Sequence, residues 1–121
     1  MSLPWRRRHR DQQAQQYPAG EQLLRGPERA YFQRLAGDYP PVSSNGRLTL
    51  TATHLIFTSV IGTDVSVPLR EVEAARQQQI RRFHRGGHDS QLVIATRSGQ
   101  IGFLVSDPAA WAGAIRDQLP A

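Results

Sequence analysis

The chain predicts a mainly β fold: a curved antiparallel sandwich or open barrel closed by one C-terminal helix. Three observations carry this. Apolar residues alternate with polar ones through the middle of the chain. A tight-turn signal at Arg97-Ser98-Gly99-Gln100 separates two apolar runs. Asp107-Pro108 then opens a segment in which Trp111, Ile115 and Leu119 recur every fourth residue.

Taken in order, residues 1–20 are rich in arginine and glutamine and show no period, so they bury too little apolar surface to offset the entropy of ordering. They are expected to form a flexible tail ahead of one domain at 21–121. Pro27-Glu28-Arg29-Ala30-Tyr31-Phe32-Gln33-Arg34-Leu35, ending at Gly37, reads locally as a two-turn helix. Leu48, Leu50 and Ala52 alternate with Thr49, Thr51 and Thr53, which predicts a half-buried strand with threonine on its outer face. Thr53-His54 turns the chain into the return strand Leu55-Ile56-Phe57-Thr58. Val65, Val67 and Leu69 alternate with Ser66 and Pro68; proline donates no amide, so this strand lies at an edge or ends there. A further strand is expected from Val72 to Gln79. The polar stretch from Arg81 to Ser90, broken by Gly86-Gly87, reads as a loop. Leu92 to Thr96 and Ile101 to Val105 form a hairpin, with Gly99 suited to the left-handed position of its turn. Asp107 caps a helix at about 108–119, with Pro108 at its first position and Pro120 as its stop.

Composition narrows the function. The 121 residues carry a net charge of +5, and all fifteen basic residues are arginine. Residues 1–20 hold a surplus of three positive charges and the remainder a surplus of two, so the domain is only mildly basic and nucleic-acid recognition is disfavoured. There is no cysteine, which removes thiol chemistry and cysteine-ligated zinc and fits the cytoplasm. No apolar stretch approaches the roughly 20 residues of a membrane span, and the basic start lacks the apolar segment of a secretory signal.

The segments Gly20-Glu21-Gln22-Leu23-Leu24-Arg25-Gly26-Pro27, Gly46-Arg47-Leu48-Thr49-Leu50-Thr51 and His54-Leu55-Ile56-Phe57 resemble the opening strands of bacterial GRAM domains. Val67-Pro68-Leu69-Arg70-Glu71-Val72 resembles their next strand, and the hairpin at Gly99 and the helix with Trp111 and Ile115 resemble their ending. The resemblance covers about 20–119. It implies a pleckstrin-homology-like fold of two nearly orthogonal sheets capped by the last helix, and it makes 21–34 the first strand rather than a helix. The chain departs from that pattern in a short loop at Ile61-Gly62-Thr63 and a basic loop from Arg81 to Asp89. The family includes lipid-binding and protein-binding modules, so the fold does not select the ligand.

No catalytic signature is present: neither a nucleophile elbow, nor a phosphate-cradling glycine loop, nor a zinc helix. Glu71 and Glu73 would share a strand face, but Arg70 and Arg76 are near enough to pair with them. His84 and His88 have a helical chelate spacing that Gly86 and Gly87 interrupt, while His54 and His9 lack catalytic partners. The chain is therefore expected to be a binding module, not an enzyme, with no cofactor or metal. The loop residues Arg81, Arg82, Phe83, His84, Arg85 and His88 suit phosphate contact and headgroup insertion; the alternative is a solvated loop with Phe83 tucked onto the barrel. In the tail, Trp5, Arg6, Arg7, Arg8 and Arg10 suit a salt-sensitive membrane tether, against a merely solubilising role. An anionic membrane surface at the inner face of the membrane is the first expected partner. The second is a protein segment, taken at a sheet edge or beside the last helix.

Overall fold

A computed structural model describes residues 5–7, 22–80 and 90–120. Its strands are β1 (Trp5–Arg7), β2 (Leu23–Gly37), β3 (Ser44–Thr51), β4 (His54–Ser59), β5 (Thr63–Pro68), β6 (Val72–Gln79), β7 (Ser90–Thr96) and β8 (Gly99–Leu104). A 3-10 turn, Leu69–Glu71, joins β5 to β6, and the helix α1 spans Pro108–Gln118. All described pairings are antiparallel, in the order β1-β5-β4-β3-β2-β8-β7-β6. Among the described residues the first and last strands of that order do not pair, and α1 packs on β6, β7 and β2, which makes an open barrel capped by the helix.

Strand β2 makes the curl possible. It is 15 residues long, pairing with β3 through Phe32 and with β8 from Tyr31 onward. The local helix signal at 27–35 is overridden, because only an extended segment reaches from one half of the sheet to the other. Ala30 and Phe32 then face the core while Arg29, Tyr31 and Gln33 face outward. A register shift between Arg25 and Glu28 contains Gly26 and Pro27, where the strand bends and a missing amide is tolerated. Gly26 has φ +88°, and a Cβ there would lie 2.3 Å from the Leu48 carbonyl oxygen, so the bend requires glycine.

The rings of Phe32, Phe57 and Phe103 meet at centroid distances of 5.4–5.7 Å in the centre of the core. Trp111, Ala112 and Ile115 close it from the helix side, with Leu119 half-buried beside them. Asp107 caps α1 as its sequence requires, Oδ1 accepting from the Ala110 amide at 3.1 Å. Pro68 ends β5 opposite His54.

The outer threonine face expected on β3 is not solvated. Thr49 and Thr51 are buried, and Thr51 Oγ1 accepts from the amides of Thr53 and His54 and donates to the His54 carbonyl, stitching the β3–β4 turn. Trp5–Arg7, within the segment whose composition predicts a flexible tail, pairs as an edge strand with β5: Trp5 with Val65, Arg6 with Asp64 and Arg7 with Thr63.

Candidate functional site

One corner of the sheet holds apolar side chains in water. Val42, Val60 and Ile61 are 57, 53 and 49% exposed. The turn at 60–62 that carries two of them is fixed by polar bonds. The Ser59 amide donates to Asp64 Oδ1 at 2.9 Å, and the Ile61 amide donates to Ser59 Oγ at 3.0 Å. The Gly62 amide donates to the Ser59 carbonyl at 3.2 Å and the Val60 amide to that of Asn45 at 3.0 Å. Ser44 and Ser59 hydroxyls join across the strands at 3.0 Å, and Val42 lies two residues before Ser44. A turn so tied holds its aliphatic side chains outward instead of folding them onto the sheet.

Beside this corner lies a pair of like charges. Arg29 of β2 is directly opposite Arg47 of β3, both are exposed, and neither forms an ion pair among the described residues. Thr58 of β4 continues the same row. Directly opposed like charges destabilise a sheet. Two guanidiniums about 5 Å apart at their Cβ atoms, with no ion pair among the described residues, suit an anion that both can face.

The Glu28 carboxylate ties the helix end to the sheet. Glu28 accepts from Trp111 Nε1 at 3.1 Å through Oε1, and from Ser106 Oγ at 2.8 Å and the Ser106 amide at 3.3 Å through Oε2. Arg25 approaches Glu28 at 4.0 Å, its guanidinium 5.1 Å from the Trp111 ring centroid. Glu71 lies in the 3-10 turn, not on a strand, so it shares no strand face with Glu73. The expected pairing of these acids with Arg70 and Arg76 does not form; Arg76 donates instead to Gln78 Oε1 at 3.4 Å. Buried Tyr39 joins its hydroxyl to Thr96 Oγ1, and burial, with a smaller push from Glu71, holds its phenol above the usual value.

Among the described residues no three histidine or acidic side chains gather as a metal-binding group. His54 sits at the β3–β4 turn, its Nδ1 2.8 Å from Thr53 Oγ1. No helix among them is long and apolar enough to cross a membrane. Arg81, Arg82, Phe83, His84, Arg85 and His88 lie outside the described residues, as do Arg8 and Arg10. Trp5, Arg6 and Arg7 are placed by backbone pairing alone. The sequence reading missed the Val42–Val60–Ile61 corner and the Arg29–Arg47 pair. The first carries no charge run, and the second exists only once the β2–β3 register is known.

No protein-family model matches the chain, and no curated protein does. Among solved structures, the chain is similar to the crystal structure of the C-terminal domain of an unknown protein from Leishmania infantum. That match has 18% identity, a TM-score of 0.58, and covers 83% of this chain and 85% of the other. At that identity the likeness shows a shared fold.

Proposed function

We propose that the chain is a non-enzymatic binding module of the pleckstrin-homology-like, GRAM-like kind that docks on an anionic membrane surface. The observation that carries this is the fixed turn presenting Val60 and Ile61 to water, with exposed Val42 two residues before Ser44 and with Arg29 opposite Arg47, neither in an ion pair among the described residues. A membrane satisfies both features: acyl and headgroup layers receive the aliphatic tip while lipid phosphates receive the guanidiniums. Each of the three aliphatic side chains has about half its surface left to bury, worth on the order of 1 kcal/mol apiece. Each arginine adds about 1 kcal/mol near an anionic surface. The sum describes weak, reversible docking, to which the basic loop and tail read from the sequence would add further contacts.

Co-sedimentation with neutral and with anionic liposomes at physiological salt tests the proposal. Retention on anionic vesicles alone is expected. Equal failure on both would remove the membrane reading.

A further inference from the structure

The sheet ends at β6, whose outer edge lies beside α1. The hydrogen-bond phase of this edge follows from the neighbouring hairpin. Thr96 and Gly99 close the two-residue turn at Arg97 and Ser98, so they form a hydrogen-bonded pair, and alternate residues of β7 face β8. Val93 and Gln91 therefore bond to Arg76 and Gln78, while Ala75, Gln77 and Gln79 turn their amides and carbonyls away from β7. The contact from α1 agrees with this phase: Arg116 Nη1 donates to the Ala75 carbonyl at 2.8 Å. That bond covers one outward carbonyl. Among the described residues, the outward groups of Gln77 and Gln79 have no strand partner.

Edges of this length are usually protected by proline, charge, a bulge or a covering helix. On β6 the bulge lies between Val72 and Ala74 and the helix reaches the edge at Ala75, so from Gln77 to Gln79 the described edge carries neither, and no proline. We infer that β6 pairs antiparallel with β6 of a second copy of the chain, about a two-fold axis at Gln77. This register sets Gln77 against Gln77, Ala75 against Gln79, and Arg76 against Gln78. Only pairings between outward-facing residues are allowed, which leaves few alternatives. Shifting the axis to Arg76 puts Arg76 against Arg76, a like-charge contact. Centring on Ala75 puts the two Arg116 side chains at the middle of the joint. The axis at Gln77 repeats between copies, twice, the arginine-to-glutamine contact that Arg76 makes within its own strand. The Ala75 carbonyl has a second lone pair, so Arg116 need not leave when the partner's amide arrives.

Sedimentation velocity of the full chain over a range of concentrations tests the pairing, with two exposed single-site variants. Gln78→Glu faces Arg76 with an opposite charge and Gln78→Arg with a like one, and symmetry applies each change twice. A reversible dimer is expected that Gln78→Glu tightens and Gln78→Arg loosens, each by roughly 2- to 30-fold. A chain that stays monomeric in all three forms overturns the inference. A dimer indifferent to both substitutions also overturns it, because its interface must then lie elsewhere.

Discussion

Trp111 and Glu28, 83 residues apart in the chain, are joined by a hydrogen bond of 3.1 Å from the indole Nε1 to the carboxylate. The same carboxylate holds the Ser106 amide and hydroxyl just ahead of the helix. The helix cap is thus fixed to the bend of β2 at a single acidic side chain. Glu28→Ala should cost about 2–4 kcal/mol, since it strands a buried indole donor and breaks charge-assisted bonds. Trp111→Ala should cost about 3–5 kcal/mol through the lost core volume. Denaturant unfolding followed by circular dichroism measures both, and the two losses should fall short of additive in the double variant.

Val60→Asp with Ile61→Asp places charge at the apolar corner without touching the core. Stability should change by no more than about 0.5 kcal/mol per site, while retention on anionic vesicles should fall severalfold. Co-sedimentation beside thermal unfolding separates the two effects. Large destabilisation would mean that the turn, not the membrane contact, depends on these side chains.

Arg29→Gln and Arg47→Gln should act in opposite directions on binding and folding. Each should weaken attachment to anionic vesicles by about 1 kcal/mol. Either one should also relieve the like-charge pair and raise stability by about 0.2–1 kcal/mol. An arginine kept only for the fold would show the reverse.

Tyr39 gives a pH signature. Burial raises its phenol above the ordinary value near 10. The unfolded chain loses that proton first, so stability is complete below about pH 10 and falls as pH rises towards the folded value. Tyr39→Phe should flatten this alkaline decline in unfolding measured across that interval, at the cost of the bond to Thr96.

Much of this architecture is legible in the chain. The hairpin closing at Gly99 and the Asp107-Pro108 helix start are strong local signals, and each forms where its residues direct; the further strand expected from Val72 to Gln79 forms as well. Residues 27–36 are different. Their local pattern favours a helix, and their strand is imposed by pairing with residues 44–51 on one side and 99–104 on the other. Thr49 and Thr51 show the same limit, since period-two alternation does not tell which polar face will be covered. The candidate site was hidden for a related reason. Val42 is separated in sequence from Val60 and Ile61, all three are unremarkable as residues, and the Ser44–Ser59 and Val60–Asn45 bonds bring their segments together. Charge runs drew the sequence reading to residues 81–88 and to the tail, whereas Arg29 and Arg47 are 18 positions apart and meet by register.

In the proposed docking, the turn at Ile61 enters the membrane. Because the chain has no cysteine, Ile61→Cys accepts a single polarity-sensitive fluorophore, with Gln118→Cys on α1 as the reference position. On adding anionic vesicles at physiological salt, the label at 61 should shift to the blue and gain intensity while the label at 118 stays unchanged. Vesicle binding with no shift at 61 would mean that this turn stays in water and that another surface holds the membrane.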